Sequence, residues 1–247
     1  MRLRLIACEI ARREIAEVLP SSPHEVTVEY LEQGYHNDVA VGNPAIQVQI
    51  DALAPDACDA ILLGYGLCNN MLAGIQARHA PMVVPRSHDC ITWFLGSKER
   101  YRDYFDANPG TYYYTAGWLD HSSHASRQSR ATNVSLPGMP GTWEELVEKY
   151  GEDNAEYLLE SLGGWRTNYT HGTLIRQGLG CDDESRERVH EICDSNEWEY
   201  KDVEGDLNLL RRWVCGDWDD DAFLTVEPGM SIVPSYGDDI VQIESPV

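Results

Sequence analysis

No two of the seven cysteines in this 247-residue chain are spaced CxxC, so zinc-ribbon and thioredoxin-type motifs are absent. There is no GxSxG elbow, no P-loop and no GxGxxG fingerprint. The GYG at 64–66 lacks the rest of that pattern, which leaves serine-hydrolase and nucleotide-binding chemistry without a motif. No apolar run approaches the roughly 18 residues of a membrane-spanning helix. The opening MRLRLIACEI passes from a short apolar stretch straight into charged residues, and reads as a first strand rather than a signal peptide. The expected location is the cytoplasm, where scattered cysteines do not imply a disulfide framework. Lysine is scarce, with Lys98, Lys149 and Lys201 the only three, and acidic residues outnumber basic ones 41 to 19 for a net charge of −22. A surface of that sign repels phosphate backbones, which argues against a nucleic-acid partner. It also suits a salt-rich cytosol.

What is present is a regular alternation of short apolar runs and helix-spaced segments. LRLIAC ends at Cys8, and EIARREIAEVLP follows with helical spacing until Pro20. HEVTVEYLEQG is a β-branched strand, and NPAIQVQIDALAP predicts a helix with Pro44 in its first turn. DAILLGYG is a buried strand, NNMLAGIQARH a short helix, APMVVPRSH a fourth strand, and TWFLGSKERYRDYFDANPG a helix closed by Asn108-Pro109-Gly110. A second series begins at TYYYTAGW. Residues 120–141, rich in Ser, Gly and Pro, predict an irregular insertion over or beside a cleft, where Arg127 and Arg130 would meet an anionic substrate. Thr142 with Glu145 makes a capping-box pattern. Strands follow in RTNYTHGTLI, EWEYKDVEG and DAFLTVEPG, with helices in DDESRERVHEICDS, capped by Asp182 or Asp183, and in DLNLLRRWVCG. The expected fold class is α/β: two Rossmann-like lobes with mainly parallel sheets facing a cleft. Residues 1–110 form the first lobe and 111–247 the second.

Three cysteines share one topological position. Cys8, Cys68 and Cys90 each follow a predicted strand, where open α/β sheets bind their ligands. A helix N-terminus after each strand would lower the thiol pKa and favour thiolate, the form that ligates metal or attacks an electrophile. The bland alternative for any one of them is a small buried hydrophobe. Cys58, Cys181, Cys193 and Cys215 lack this placement and read as structural. His36, in GYHND after the second strand, is a companion candidate, and His88 a weaker one. Asp89 and Glu9 either join the site or simply begin helices.

The chain resembles a family of uncharacterised bacterial and archaeal proteins known only as a domain of unknown function. The residues that carry the resemblance are Cys8, His36-Asn37, Cys68, His88 and Cys90 before ITWFLG, NPGTYYYT at 108–115, and Asn168-Tyr169. One departure is that Asp89 separates His88 from the third cysteine. The resemblance implies a setting among corrinoid methyltransferase systems and a cofactor-binding role for Asn168 and Tyr169.

The residues support three readings. In the first, Cys8, Cys68 and Cys90 with His36 hold a metal, zinc slightly ahead of an iron–sulfur cluster, in a metalloenzyme acting on a small molecule or a corrinoid-system protein. In the second, Cys68 is a metal-free nucleophile with His36 as its base. In the third, the protein is a non-catalytic accessory or binding partner.

Overall fold

The computed structural model describes residues 1–120, 147–148, 151–152 and 168–245. The capping box at 142–145 and residues 121–141 of the expected insertion, with Arg127 and Arg130, lie outside them. The fold is mixed α/β with a mainly parallel sheet, and the chain divides into two compact units, Met1–Tyr104 with Gly205–Val247, and Phe105–Glu204.

The first unit is built on β1 (Arg2–Cys8), β2 (Glu25–Leu31), β3 (Ala60–Gly64), β4 (Met82–Pro85) and β8 (Phe223–Val226), in the order β2-β1-β3-β4-β8. β3 and β4 are buried throughout, as strands covered on both faces must be. The first four strands run parallel, and β8 pairs antiparallel with β4. Between the strands lie α1 (Arg12–Val18), α2 (Val39–Asp51), α3 (Ile91–Leu95) and α4 (Lys98–Ala107). α6 (Asn208–Cys215) belongs to the same unit, where its fully buried Trp213 donates its indole N–H to the Val83 carbonyl at 3.1 Å.

The second unit carries the parallel sheet β5 (Thr111–Tyr114), β6 (His171–Arg176) and β7 (Glu199–Glu204), with α5 (Asp182–Asn196) leading from β6 to β7. Its core is aromatic: Tyr114, Leu119, Leu174, Val189, Cys193 and Trp198 are buried, and Tyr112, Trp118 and Tyr169 pack against them.

Several local expectations are corrected. NNMLAGIQARH forms turns, because Cys68, Asn69 and Asn70 take left-handed φ values of 39°, 59° and 64°. Gln76 then bridges to Ser231 instead of continuing a helix. The expected single helix from Thr92 to Asn108 breaks into α3 and α4 at Gly96, whose φ of 91° closes α3 and whose missing side chain admits Asp206. α2 starts at Val39, before Pro44, because the Asp38 carbonyl already accepts the Val41 and Gly42 amides and nucleates the turn. The N-cap of α5 is Cys181, while Asp182 instead accepts the Gly178 amide at 3.2 Å. The expected break at 110 differs from the observed division, because residues 205–247 return to the first unit and β8 closes its sheet. Alternation predicts that 223–226 is a strand but says nothing of its partner. The hairpin β9 (Ser231–Pro234) and β10 (Val241–Glu244) carries no clear signal in the sequence.

Candidate functional site

β1, β3 and β4 are neighbours running the same way, so the segments leaving their carboxyl ends share one edge of the sheet. Cys8 is the last residue of β1, Cys68 lies in the loop after β3, and Cys90 ends the loop after β4. The two loops continue to pair beyond their strands. The Leu67 amide donates to the Ser87 carbonyl and the Cys68 amide to the His88 carbonyl, both at 2.8 Å.

Two glycines make this closeness possible. A Cβ on Gly66 would stand 2.7 Å from Asp89 Cα, and one on Gly64 would stand 2.5 Å from Ala7 Cβ. The first approach joins the β3 and β4 loops, the second joins β3 to β1, and Tyr65 sits between them. The Trp93 indole pins the β4 loop by donating to Ser87 Oγ at 2.8 Å, with both residues buried. Cys68 itself is held left-handed in a turn where the Met71 amide donates to Leu67 O at 2.8 Å. Asparagine tolerates that conformation; a cysteine there stores strain of about 1–3 kcal/mol, a feature that clusters at functional sites.

Cys8 is buried, and Cys68 and Cys90 are half-buried. Burial pushes Cys8 up to about 11, with the Ile10 amide opposing and Glu9 adding to the rise. It pushes Cys68 up to about 12, helped by the charges of Asp89 and Cys8, while the Gly66 and Cys90 amides offset part of the shift. Cys90 is raised well above an ordinary thiol by burial, then by Asp89, Cys68 and Cys8. Each thiol therefore lies within electrostatic reach of another, and the Cys68 sulfur lies within reach of the Cys90 amide. The expected lowering by helix N-termini is corrected: desolvation and negative neighbours outweigh it, and the helix after Cys90 is only five residues long. Among the described residues, no group of three or more His, Cys, Asp or Glu side chains is arranged to hold a metal ion.

His36 lies in the 3-10 turn Tyr35–Asn37 after β2, half-buried, and burial lowers its pKa, which favours neutral imidazole. His88 is exposed, its carbonyl taken by the Cys68 amide. Asp89 accepts the Ile91 amide at 2.9 Å and the Tyr101 hydroxyl at 3.0 Å, and burial raises its pKa against those two bonds. Glu9 accepts the Gln33 amide at 2.9 Å. Asn168 and Tyr169 belong to the second unit and precede β6, at the amino end of its strands rather than the ligand-binding end. Tyr169 is spent on packing, edge-on to Tyr112 at 5.1 Å and tilted against Trp198 at 5.8 Å.

The residue that sequence reasoning missed is Tyr65. It is 2% exposed, and its hydroxyl has no hydrogen-bond partner among the described residues. Burial raises its pKa, followed by the charges of Cys8, Tyr35, Cys68 and Glu9. The available signal was the pair of flanking glycines, each of which marks a close backbone approach.

With this geometry in view, a family model described as "Protein of unknown function (DUF1638)" matches residues 30–214, about three quarters of the chain. The chain belongs to this family. The matched segment contains His36, Cys68, Cys90, Asn168 and Tyr169, while Cys8 lies before it. No curated protein and no solved structure matches the chain. No helix among the described residues is long and apolar enough to cross a membrane.

Proposed function

We propose that Cys8, Cys68 and Cys90, joined by His36, form a thiolate-ligated metal centre in a cytoplasmic enzyme. The observation that carries this reading is the delivery of three thiols by the ends of three adjacent parallel strands, with the loops after β3 and β4 still paired through the Cys68 amide and the His88 carbonyl. Buried thiols with acidic neighbours stay protonated on their own. A bound cation reverses that preference, because it neutralises the charge that burial penalises. The amides of Ile10, Gly66 and Cys90 already favour thiolate at Cys8 and Cys68.

A tetrahedral zinc ion with Zn–S bonds of about 2.3 Å holds its sulfurs about 3.8 Å apart. The thiols are not gathered so closely about one point, so zinc requires the β3 and β4 loops to close further. An iron–sulfur cluster, which offers a separate iron to each thiolate, accepts a wider set. With the three thiolates as permanent ligands and His36 giving way to substrate, either centre offers one open position, and an open Lewis-acid position activates a thiol or oxygen nucleophile of the kind used in methyl transfer. Service to a corrinoid system, with a small molecule or a corrinoid protein as partner, rests on the family resemblance alone. The metal-free nucleophile reading is disfavoured at Cys68, because a pKa pushed up to about 12 leaves it a thiol at neutral pH.

Alkylation mapped by mass spectrometry tests the proposal. In the same denaturant, which opens the fold to reagent, metal-loaded protein keeps Cys8, Cys68 and Cys90 from iodoacetamide at pH 9 and chelated protein does not, while half-buried Cys215 is labelled alike in both. Equal labelling of the three with and without chelator under those conditions refutes it.

A further inference from the structure

α2 is apolar on two opposite sides. Gly42, Ile46 and Ile50 are buried on the inner one. Asn43 donates to the Met71 and Ala73 carbonyls at 2.7 and 2.9 Å, which fixes the helix about its axis. At about 100° per residue the outer side is centred on Val41, Pro44 and Val48. All three are exposed, Val41 by 55% and Val48 by 59%, and exposed Ala40 and Ala52 extend the stripe. From Val39 to Ile50 there is no charged residue, in a chain with 41 acidic and 19 basic ones. A surface helix carries charge on its outer side, and a helix that is apolar all round is a buried one. Valine gains nothing as an exposed helix residue, since its branched side chain lowers helix propensity. A single exposed apolar residue needs no explanation, but a contiguous uncharged stripe marks a contact.

We propose that the outer stripe of α2 is the centre of an interface with a second copy of this chain, paired about a two-fold axis. Charge selects that occupant. A basic partner would be drawn to the acidic residues that dominate the chain, whereas a stripe that excludes both signs fits a face that is likewise uncharged, and α2 supplies one. Val41 and Val48 lie about two turns apart, so antiparallel copies crossing between them set the Val41 of each against the Val48 of the other. Exposed Asp38, Asp51 and Asp56 stand toward the ends of the stripe and form a polar rim. α2 is about 20 Å long and about 10 Å wide, so the stripe covers roughly 200 Å² against the about 800 Å² per partner of a standard interface. The dimer is therefore weak and concentration-dependent. Salt strengthens it, the reverse of an interface held by ion pairs, because it screens the repulsion between two chains of net charge −22. The pairing is independent of any metal at the strand ends.

The test is sedimentation equilibrium of the full chain at about 0.1 M and about 1 M NaCl, where screening lengths are about 10 Å and about 3 Å. Wild type should pass from monomer to dimer with rising concentration, and at lower concentration in the higher salt. Val48→Glu, at an exposed position, should weaken the dimer about 100-fold or more by burying charge at its centre, and should melt as the wild-type monomer does. Ile243→Glu, at an exposed position on β10, should dimerise like wild type. A mixture of Val41→Lys/Val48→Lys with Val41→Glu/Val48→Glu should form a heterodimer although neither protein pairs with itself. That result identifies the occupant as a second copy rather than another protein. Wild type that stays monomeric at every concentration and both salts overturns the proposal, as does Val48→Glu that dimerises like wild type.

Discussion

Cys193 and the trio of Cys8, Cys68 and Cys90 occupy two different settings. Cys193, in the second unit, is 1% exposed, sits in a core of aromatic and aliphatic side chains, and donates its S–H to the Gly172 carbonyl at 3.8 Å. Its surroundings are complete: a small apolar side chain fills a space that Gly172 leaves for it. The trio sits instead where three parallel strands end, Cys8 closing β1 and Cys68 and Cys90 in the loops after β3 and β4, with Cys68 in a left-handed conformation and the nearby chain carrying the unsatisfied hydroxyl of Tyr65. Both settings raise the thiol pKa through burial, so that shift alone does not separate them. Strain and unsatisfied polarity do. A packing cysteine has neither.

The largest effect expected to sharpen the comparison is metal removal. A metal present at about 1,000 times its Kd stabilises the native state by about 4 kcal/mol, so chelation should lower the melting temperature of wild type and of Cys193→Ser by the same amount, and leave Cys68→Ser unmoved. Calorimetry with and without chelator reads this. Next is Gly66→Ala, whose added Cβ meets the Asp89 backbone at 2.7 Å. It should cost about 3 kcal/mol, near the top of the overpacking range because the obstacle is main chain, and should weaken metal binding as the two loops part. Gly172→Ala should cost less, about 2 kcal/mol, because it meets the Cys193 sulfur rather than backbone. Adding Cys193→Ala should recover part of that loss, a coupling that denaturant melts of the four proteins in the cycle will read. Gly66→Ala has no such single-residue rescue.

The last effect is silent at neutral pH and appears only in alkali. Cys8 and Cys68 have folded pKa values of about 11 and 12 against a reference of 9.0, so the folded state holds protons that the unfolded chain releases. Their contribution to stability is complete below pH 9 and is lost as pH rises toward 12. Metal-free wild type should therefore melt progressively lower across that window, and Cys8→Ala/Cys68→Ala should show a shallower decline. Metal affinity should change in the opposite sense, rising with pH as thiolate becomes available.

Much of the first unit was legible because its strands are continuous apolar runs, and the placement of Cys8, Cys68 and Cys90 after β1, β3 and β4 followed from that pattern alone. The sign of the thiol pKa shifts was not legible, since it depends first on how deeply each thiol is buried and, for Cys68, next on Asp89, which the Gly66 approach brings beside it. The same limit hid Tyr65, whose importance lies in a missing partner rather than in its residue type. It also hid the return of β8 to the first sheet, because alternation marks a strand without naming its neighbour. Tyr169 was singled out by a family pattern, and its packing against Tyr112 and Trp198 was not legible in that pattern.

The central claim is that the strand-end thiols hold a metal and the packing thiol does not. Elemental analysis of wild type, Cys68→Ser and Cys193→Ser, purified side by side without oxygen, tests it most directly. The account predicts stoichiometric zinc or iron in wild type and Cys193→Ser and its loss from Cys68→Ser; equal metal in all three, or none in any, would contradict it.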